Sequence, residues 1–263
     1  MKTFLMKSYT FLVFFFLYAP IITLMVFSFN ESKSRGTWDG FTLKWYAELF
    51  RDSQIGSALY YTILVAIIAS IFATVLGTIA AIGIHNMRGI PKTMAINVTY
   101  FPMLSPDIVM GISLMLLFIF VKLNLGFLTM LLAHITFNLP FVIFSVLPKL
   151  RQLNDDTYDA ALDLGATPYE AYKKVILPQI SPGIITGFLL AFTMSIDDFV
   201  VSFFTTGSGV SNLAITIYSM ARRGINPKIN ALLTLMFIFI MAILIFVNYR
   251  MAKDKGKEER EMN

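Results

Sequence analysis

The chain has no cysteine and only two histidines, His85 and His134. Disulfides, zinc–thiolate sites and cysteine nucleophiles are therefore excluded, and a multi-histidine metal centre has too few ligands. Charge is scarce as well. Asp, Glu, Lys and Arg make up 14% of the 263 residues, against about a quarter in soluble domains. A soluble fold of this length would lack the polar groups needed to cover its surface. No Gly-x-x-x-x-Gly-Lys-Ser/Thr run occurs, so the chain has no phosphate loop with which to bind ATP. The Gly-x-Gly-Asp pattern of intramembrane aspartyl proteases is missing too, which leaves that enzymatic alternative weak. A passive channel would want a filter-like repeat, and none is visible.

What is present is apolar. Hydrophobic residues make up 57% of the chain and the mean hydropathy is +0.71. The bilayer is the solvent that suits this composition. The charge-free stretches predict an all-α integral membrane protein with six spans, at residues 8–29, 59–84, 93–121, 126–147, 183–204 and 230–249. The first is too long for the apolar core of a signal peptide and lacks a cleavage pattern, so it reads as a retained helix. The net charge of +5 suits Lys and Arg held in cytoplasmic loops, with no role for nucleic acid. With both termini inside, the cytoplasmic side holds 13 Lys and Arg and the outer side 8, a bias that favours this orientation. Trp38 and Trp45 fall in the first outer loop, where interfacial aromatics are expected. One domain, with a charged tail at residues 250–263, is the simplest organisation.

The segment 149–182 is polar and patterned. Asn154 caps a helix opening on Asp155-Asp156, with carboxylates in the first turn. Gly165 supplies a left-handed stop. Thr167-Pro168-Tyr169-Glu170 is a capping box with proline in the first helical position. Pro178 is expected to end the second helix. From the residues alone, an amphipathic loop on the membrane surface is the simplest reading. DNA binding is excluded, because Asp155, Asp156, Asp159 and Asp163 repel phosphates.

Three carboxylates lie at membrane depth, where such groups usually face a cavity or a partner. Asp107 follows Ser105-Pro106. Serine as cap, proline at the first position and Asp at the helix N-terminus make a structural account. Pro102 and Pro106 also break the third span near its middle, and broken helices mark substrate paths in transporters. The two accounts are compatible. Asp197 and Asp198, roughly 20 Å along the fifth span, point about 100° apart on a helix. Either they pair with a neighbouring subunit or meet water at an outer end, or at least one lines a pathway. A cation on such a path would want spaced carboxylates with aromatic faces between them, and Tyr60 and Tyr218 are candidates for those faces, beside Tyr61, Tyr100, Phe101 and Phe199. His134 and Asn138, one turn apart, read as an interhelical hydrogen-bonding pair.

Asp159-Ala160-Ala161-x-x-x-Gly165, nine residues, then Val175-Ile176-Leu177-Pro178 resembles the EAA loop of bacterial ABC importer permeases. The family pattern is Glu-Ala-Ala, three residues, Gly, nine residues, Ile-x-Leu-Pro. This chain departs by Asp at 159 and Val at 175, both conservative. Ser105-Pro106-Asp107-Ile108-Val109-Met110, His134-Ile135-Thr136-Phe137, Leu139-Pro140-Phe141, Ser195-Ile196-Asp197-Asp198 and Ile217-Tyr218-Ser219-Met220 resemble the spermidine/putrescine permeases of that family. One departure is Leu213-Ala214, where Leu-Pro is expected. The resemblance implies a type I ABC importer permease fold in a bacterial cell membrane. It implies a coupling helix at Asp159, Ala160, Ala161 and Gly165, with Leu177-Pro178 closing the motif. The implied partners are a second homologous permease, a cytoplasmic ATPase dimer that holds ATP and magnesium, an extracytoplasmic polyamine-binding protein and membrane lipid. No metal and no cofactor of this chain's own are implied. An amino acid, sugar or iron remains the alternative cargo.

Overall fold

The computed structural model describes residues 2–33, 37–154, 156–223, 227–238 and 241–242. Among them it is all-helical, apart from one antiparallel bridge between Asn30 and Phe41. Two compact units are formed, Met1–Gly56 with Ile217–Asn263, and Ser57–Thr216.

In the first unit, α1 (Lys2–Phe27) carries the expected first span. No residue of its 22-residue apolar segment Met6–Phe27 is buried. Beyond it, buried Asn30 organises a short loop. Its side chain donates to the Thr37 carbonyl at 2.7 Å and accepts from the amides of Ser32 and Asp39. α2 (Lys44–Arg51) docks here through Trp45, whose indole donates to the Asn30 carbonyl at 2.7 Å. Trp45 is thus an interior staple, not the interfacial anchor its position in the sequence suggests; Trp38 stays exposed. Lys228, on α12 (Pro227–Ile238), lies 3.4 Å from both Glu48 and Asp52. The sixth expected span, 230–249, is described only in part, and the tail 250–263, like Asp155, lies outside the described residues.

The second unit is built on α3 (Ser53–Asn86), α6 (Phe127–Gln152) and α9 (Leu177–Asp197). Without a hydrophobic force between helices in lipid, close approach of small residues must hold such a bundle. The chain supplies them. Ala66, Ser70, Ala73, Gly77 and Ala81 are small residues at helical spacing along α3, and the Ala and Ser members are buried. A Cβ on Gly77 would stand 2.7 Å from Val142 on α6. From α9, Gly183 and Gly187 meet the same face of α6, at Ser145–Lys149 and at Val142. Val142, Ile143, Val146, Leu147 and Ile180 fill the core between them.

Two expected spans are not continuous helices. The third, 93–121, divides into α4 (Gly89–Leu104) and α5 (Asp107–Phe120), which meet at 107°. Proline forces the residue before it out of the α region, and Ser105 is extended accordingly, at φ −77°, ψ 140°. The fifth, 183–204, divides into α9 and α10 (Val200–Thr205), with Asp198 extended between them. A third difference concerns Pro178. The helix expected to stop there runs on, so that Pro168–Asp197 is continuous. α8 (Pro168–Glu170) passes into a π-helical turn at Ala171–Ile176 and then α9. The wider turn shifts the carbonyl that the proline ring would strike.

Candidate functional site

Both helix breaks open on one cavity of about 240 Å³. Asp107, Asp197 and Asp198 all line it, with Phe137, Phe141 and Phe199, the methionines 103, 110 and 194, and Pro102. Residues ninety apart in the sequence are brought together because α10 packs against α5 and α6.

The three carboxylates differ in what they touch. Asp107 is the first residue of α5, where a negative charge suits the helix dipole. The expected serine cap does not form: the Ser105 hydroxyl donates back to the Phe101 carbonyl at 2.9 Å. Asp107 and Asp197 are exposed, and among the described residues no hydrogen bond or ion pair engages either carboxylate. Asp198 is spent on structure. Its two oxygens accept the backbone N–H groups of Val201 (3.1 Å) and Ser202 (2.7 Å), which caps α10 and explains why the helix restarts there.

Behind the wall, α6 contributes a row of buried polar groups. Thr129 donates to the Thr205 carbonyl at 2.7 Å, His134 meets the Ser202 hydroxyl at 2.8 Å, and Asn138 donates to the Ser195 hydroxyl at 2.7 Å. His134 and Asn138 each bond across to the broken helix and not to one another. Such bonds stitch helices together in a bilayer.

The aromatic candidates are redistributed. Phe199 lines the cavity. Tyr100 stacks on Phe144 with ring centres 4.0 Å apart. Tyr60 is exposed and packs edge-on to Tyr61 at 5.6 Å, outside the cavity lining. Tyr218 belongs to the other unit. Phe137 and Phe141 are lining residues that sequence reasoning did not single out. Their spacing of one helical turn, on the same helix as His134, was the available signal. The Leu213-Ala214 departure is mild, since Ala214 lies in the first turn of α11 (Leu213–Arg222), where proline is tolerated but not required.

The 149–182 segment differs from expectation at both ends, since α6 runs on to Gln152 and α9 passes through Pro178, and its middle forms as expected. Asn154 accepts the Asp156 N–H at 3.1 Å and opens α7 (Asp156–Asp163). Gly165, at φ +89°, closes it, with Gly165 N–H on the Leu162 carbonyl and Ala166 N–H on that of Ala161. This pair of bonds is the Schellman stop. Thr167 and Glu170 make both bonds of the capping box. α7 packs on the π-helical turn, with Tyr158 and Tyr172 in ring contact at 5.1 Å. That buries Ala161 and leaves Asp159, Ala160, Leu164 and Gly165 exposed, Leu164 at 90%. Leu177 packs into the core, and Pro178 is exposed.

Comparison with known proteins agrees with this architecture. Residues 73–253 match the model of the binding-protein-dependent transport system inner membrane component family. The spermidine/putrescine transport system permease protein PotC of Escherichia coli K12 is 38% identical over 245 residues, covering 93% of this chain and 92% of its own. The putrescine transport system permease protein PotI of the same strain is 38% identical over 258 residues, covering 95% and 91%. Among solved structures, a chain of a bacterial ABC transporter involved in the import of the acidic polysaccharide alginate superposes with a TM-score of 0.72 at 16% identity, covering 94% of this chain and 93% of its own. A chain of the MetNI methionine ABC transporter gives 0.60 at 16% identity, covering 80% and 97%. The matched segment is more than half of the chain, and the chain belongs to the binding-protein-dependent transport system inner membrane component family.

Proposed function

We propose that the chain is one permease subunit of an ATP-driven importer of polyamines, spermidine or putrescine, and that Asp107 and Asp197 bind the passing cation. The observation that carries this reading is the pair of carboxylates, without a partner among the described residues, at two helix breaks on one cavity. An ammonium group there gains two charge-assisted partners, and Phe137, Phe141 and Phe199 offer faces for the methylene chain and for cation–π contact. An anionic cargo would meet repulsion. The cavity, about 240 Å³, is smaller than the roughly 300–1,000 Å³ of complete ligand sites, as suits half of a path completed by a second permease. The 38% identity to spermidine/putrescine and putrescine permeases over nearly the full chain supports the same cargo.

The protein is a multi-pass membrane transport component and not an enzyme. In this reading it spans six times with both termini cytoplasmic. α7 docks on a cytoplasmic ATPase dimer, which binds ATP and magnesium, and an extracytoplasmic binding protein delivers the cargo. Asp159, Ala160 and Gly165 stand on the docking face. Ala161 and Leu177 support it from behind, and Pro178 marks the start of the span. ATP-driven closure moves α7, and the two permeases rock between inward- and outward-open states.

Two experiments test this reading. Labelled spermidine and putrescine are offered to cells lacking their own importer but expressing the partner subunits. Uptake should require both this chain and the ATPase; assembly with ATPase-dependent uptake of some other solute would discard the polyamine. Separately, Ala160→Cys should cross-link to the ATPase in the assembled transporter, and Ala161→Cys, buried against the π-helical turn, should not. Equal yields from the two positions would refute the docking face.

A further inference from the structure

Asp198 lines the cavity, yet its carboxylate is held on both oxygens by backbone amides. Around it the structure builds a closed arrangement. His134, 1% exposed, sits with Nε2 2.8 Å from the Ser202 hydroxyl and 3.5 Å from Asp198 Oδ2. The Asn212 amide donates to the Asp198 carbonyl at 3.0 Å and to the Ser202 hydroxyl at 2.8 Å. Its side-chain oxygen accepts the Ile215 N–H at 2.9 Å, at the start of α11. Side chains from α6, α10 and the loop before α11 thus form a linked cluster about Asp198, with His134 beside its carboxylate and Asn212 on its backbone carbonyl. The residue immediately before it is Asp197, whose carboxylate has no partner among the described residues and lines the cavity.

We propose that His134 is a positioning residue for cation recognition. With Ser202 and Asn212 it locks Asp198 as the cap of α10, and the extended turn so fixed, at φ −66°, ψ 123°, presents Asp197 to the cavity. Asp198 serves the site through its backbone geometry, and the cation is bound by Asp107 and Asp197. The division of labour follows from hydrogen-bond capacity. A carboxylate already accepting two N–H groups has less to offer an ammonium than one accepting none. A break in a spanning helix frees amides that lipid cannot satisfy, and here the Asp198 carboxylate takes up those of Val201 and Ser202. The histidine ring supplies a rigid reach from α6 that no aliphatic side chain at 134 could replace.

This inference rests on the polyamine-importer reading for its transport assay, and a second measurement is independent of that reading. In the assembled transporter, His134→Leu should raise the apparent KM for spermidine about tenfold or more, and Ser202→Ala about threefold, the range of one lost buried hydrogen-bond partner. The maximal rate per assembled complex should stay within about twofold, because the lost interaction is one of binding. His134→Gln, whose amide nitrogen reaches the place of Nε2, should recover most of the loss. In the Asp197→Asn background, His134→Leu should add nothing further, since both changes act through one carboxylate. The chain has no cysteine, so Asp197→Cys introduces its only thiol. Modification of that thiol by a cationic methanethiosulfonate should slow at least threefold when His134→Leu is added, a change of local position alone. A normal KM in the surviving His134→Leu complexes, or effects that multiply with Asp197→Asn, would overturn the proposal. Loss of thiol reactivity in a transporter that takes up no polyamine would uphold the positioning role and remove the polyamine reading instead.

Discussion

Replacing Asp107 and Asp197 together by asparagine should abolish polyamine uptake, with each single change costing about tenfold and the pair about a hundredfold or more at low substrate. The estimate takes the lower end of what hydrogen bonds to charged groups contribute, 1.5–3 kcal/mol in general, because both side chains are exposed in the single subunit. Asparagine keeps the size and one carbonyl oxygen, so packing is preserved and the loss is one of charge. Stability should hardly change. At Asp107 the substitution gives up only a favourable charge at the α5 N-terminus, worth about 0.3–1 kcal/mol. Neither residue anchors another among the described contacts. Assembled transporter should therefore be present at wild-type amounts while initial uptake of labelled spermidine collapses. A double variant transporting within threefold of wild type would show that the cation passes elsewhere. Asp198→Asn belongs to a different class, because it weakens the cap on α10 and should lower the amount of folded protein as well as the rate.

Gly183→Leu should disrupt the bundle itself. A Cβ at 183 would lie 2.8 Å from both the Ser145 carbonyl oxygen and Lys149 Cγ on α6. The carbonyl belongs to a helix backbone and cannot step aside, so α6 and α9 must separate. That opens the seam where Val142, Val146, Leu147 and Ile180 interlock. Overpacking of this kind costs about 1–3 kcal/mol, and more where backbone is struck. A chain of this size should lose on the order of 5–10 °C in its apparent unfolding midpoint in detergent. Gly83 on α3 provides the opposite case, since nothing lies within 4 Å of its would-be Cβ. There alanine should hold or raise the midpoint by improving helix propensity. Equal behaviour of the two glycines would show that close helix contact is not what holds the unit together.

Much of this protein is written locally. Twenty apolar residues in a row require a spanning helix in any context, because lipid leaves the backbone no other partner. Ser105-Pro106 breaks the third span because proline constrains its neighbour regardless of tertiary surroundings. Gly165 and the Thr167–Glu170 box close and open helices through bonds made within a few residues, so the turn between the two loop helices was legible, whereas the run of α6 on to Gln152, into the expected loop, was not. The sequence alone also located three costly carboxylates and one histidine.

Their roles were decided only in three dimensions. Asp197 and Asp198 are adjacent and chemically identical, and no local rule separates them. The helix break separates them: the Asp198 carboxylate accepts the Val201 and Ser202 amides of the restarted helix, with His134 and Asn212 packed about it, and Asp197 has no partner among the described residues. Trp45 looked interfacial until the Asn30 carbonyl was found beneath its indole. Pro178 looked like a stop until the π-helical turn before it made room for the ring. The cavity joins residues from 102 to 201, a span across which helical periodicity carries no information. Local bonding determined where helices begin, bend and end. Packing between helices determined which polar groups are satisfied, because partners such as His134 with Ser202 and Asn138 with Ser195 come from different elements; Asp107 and Asp197, without a partner among the described residues, are the carboxylates proposed to meet a cation.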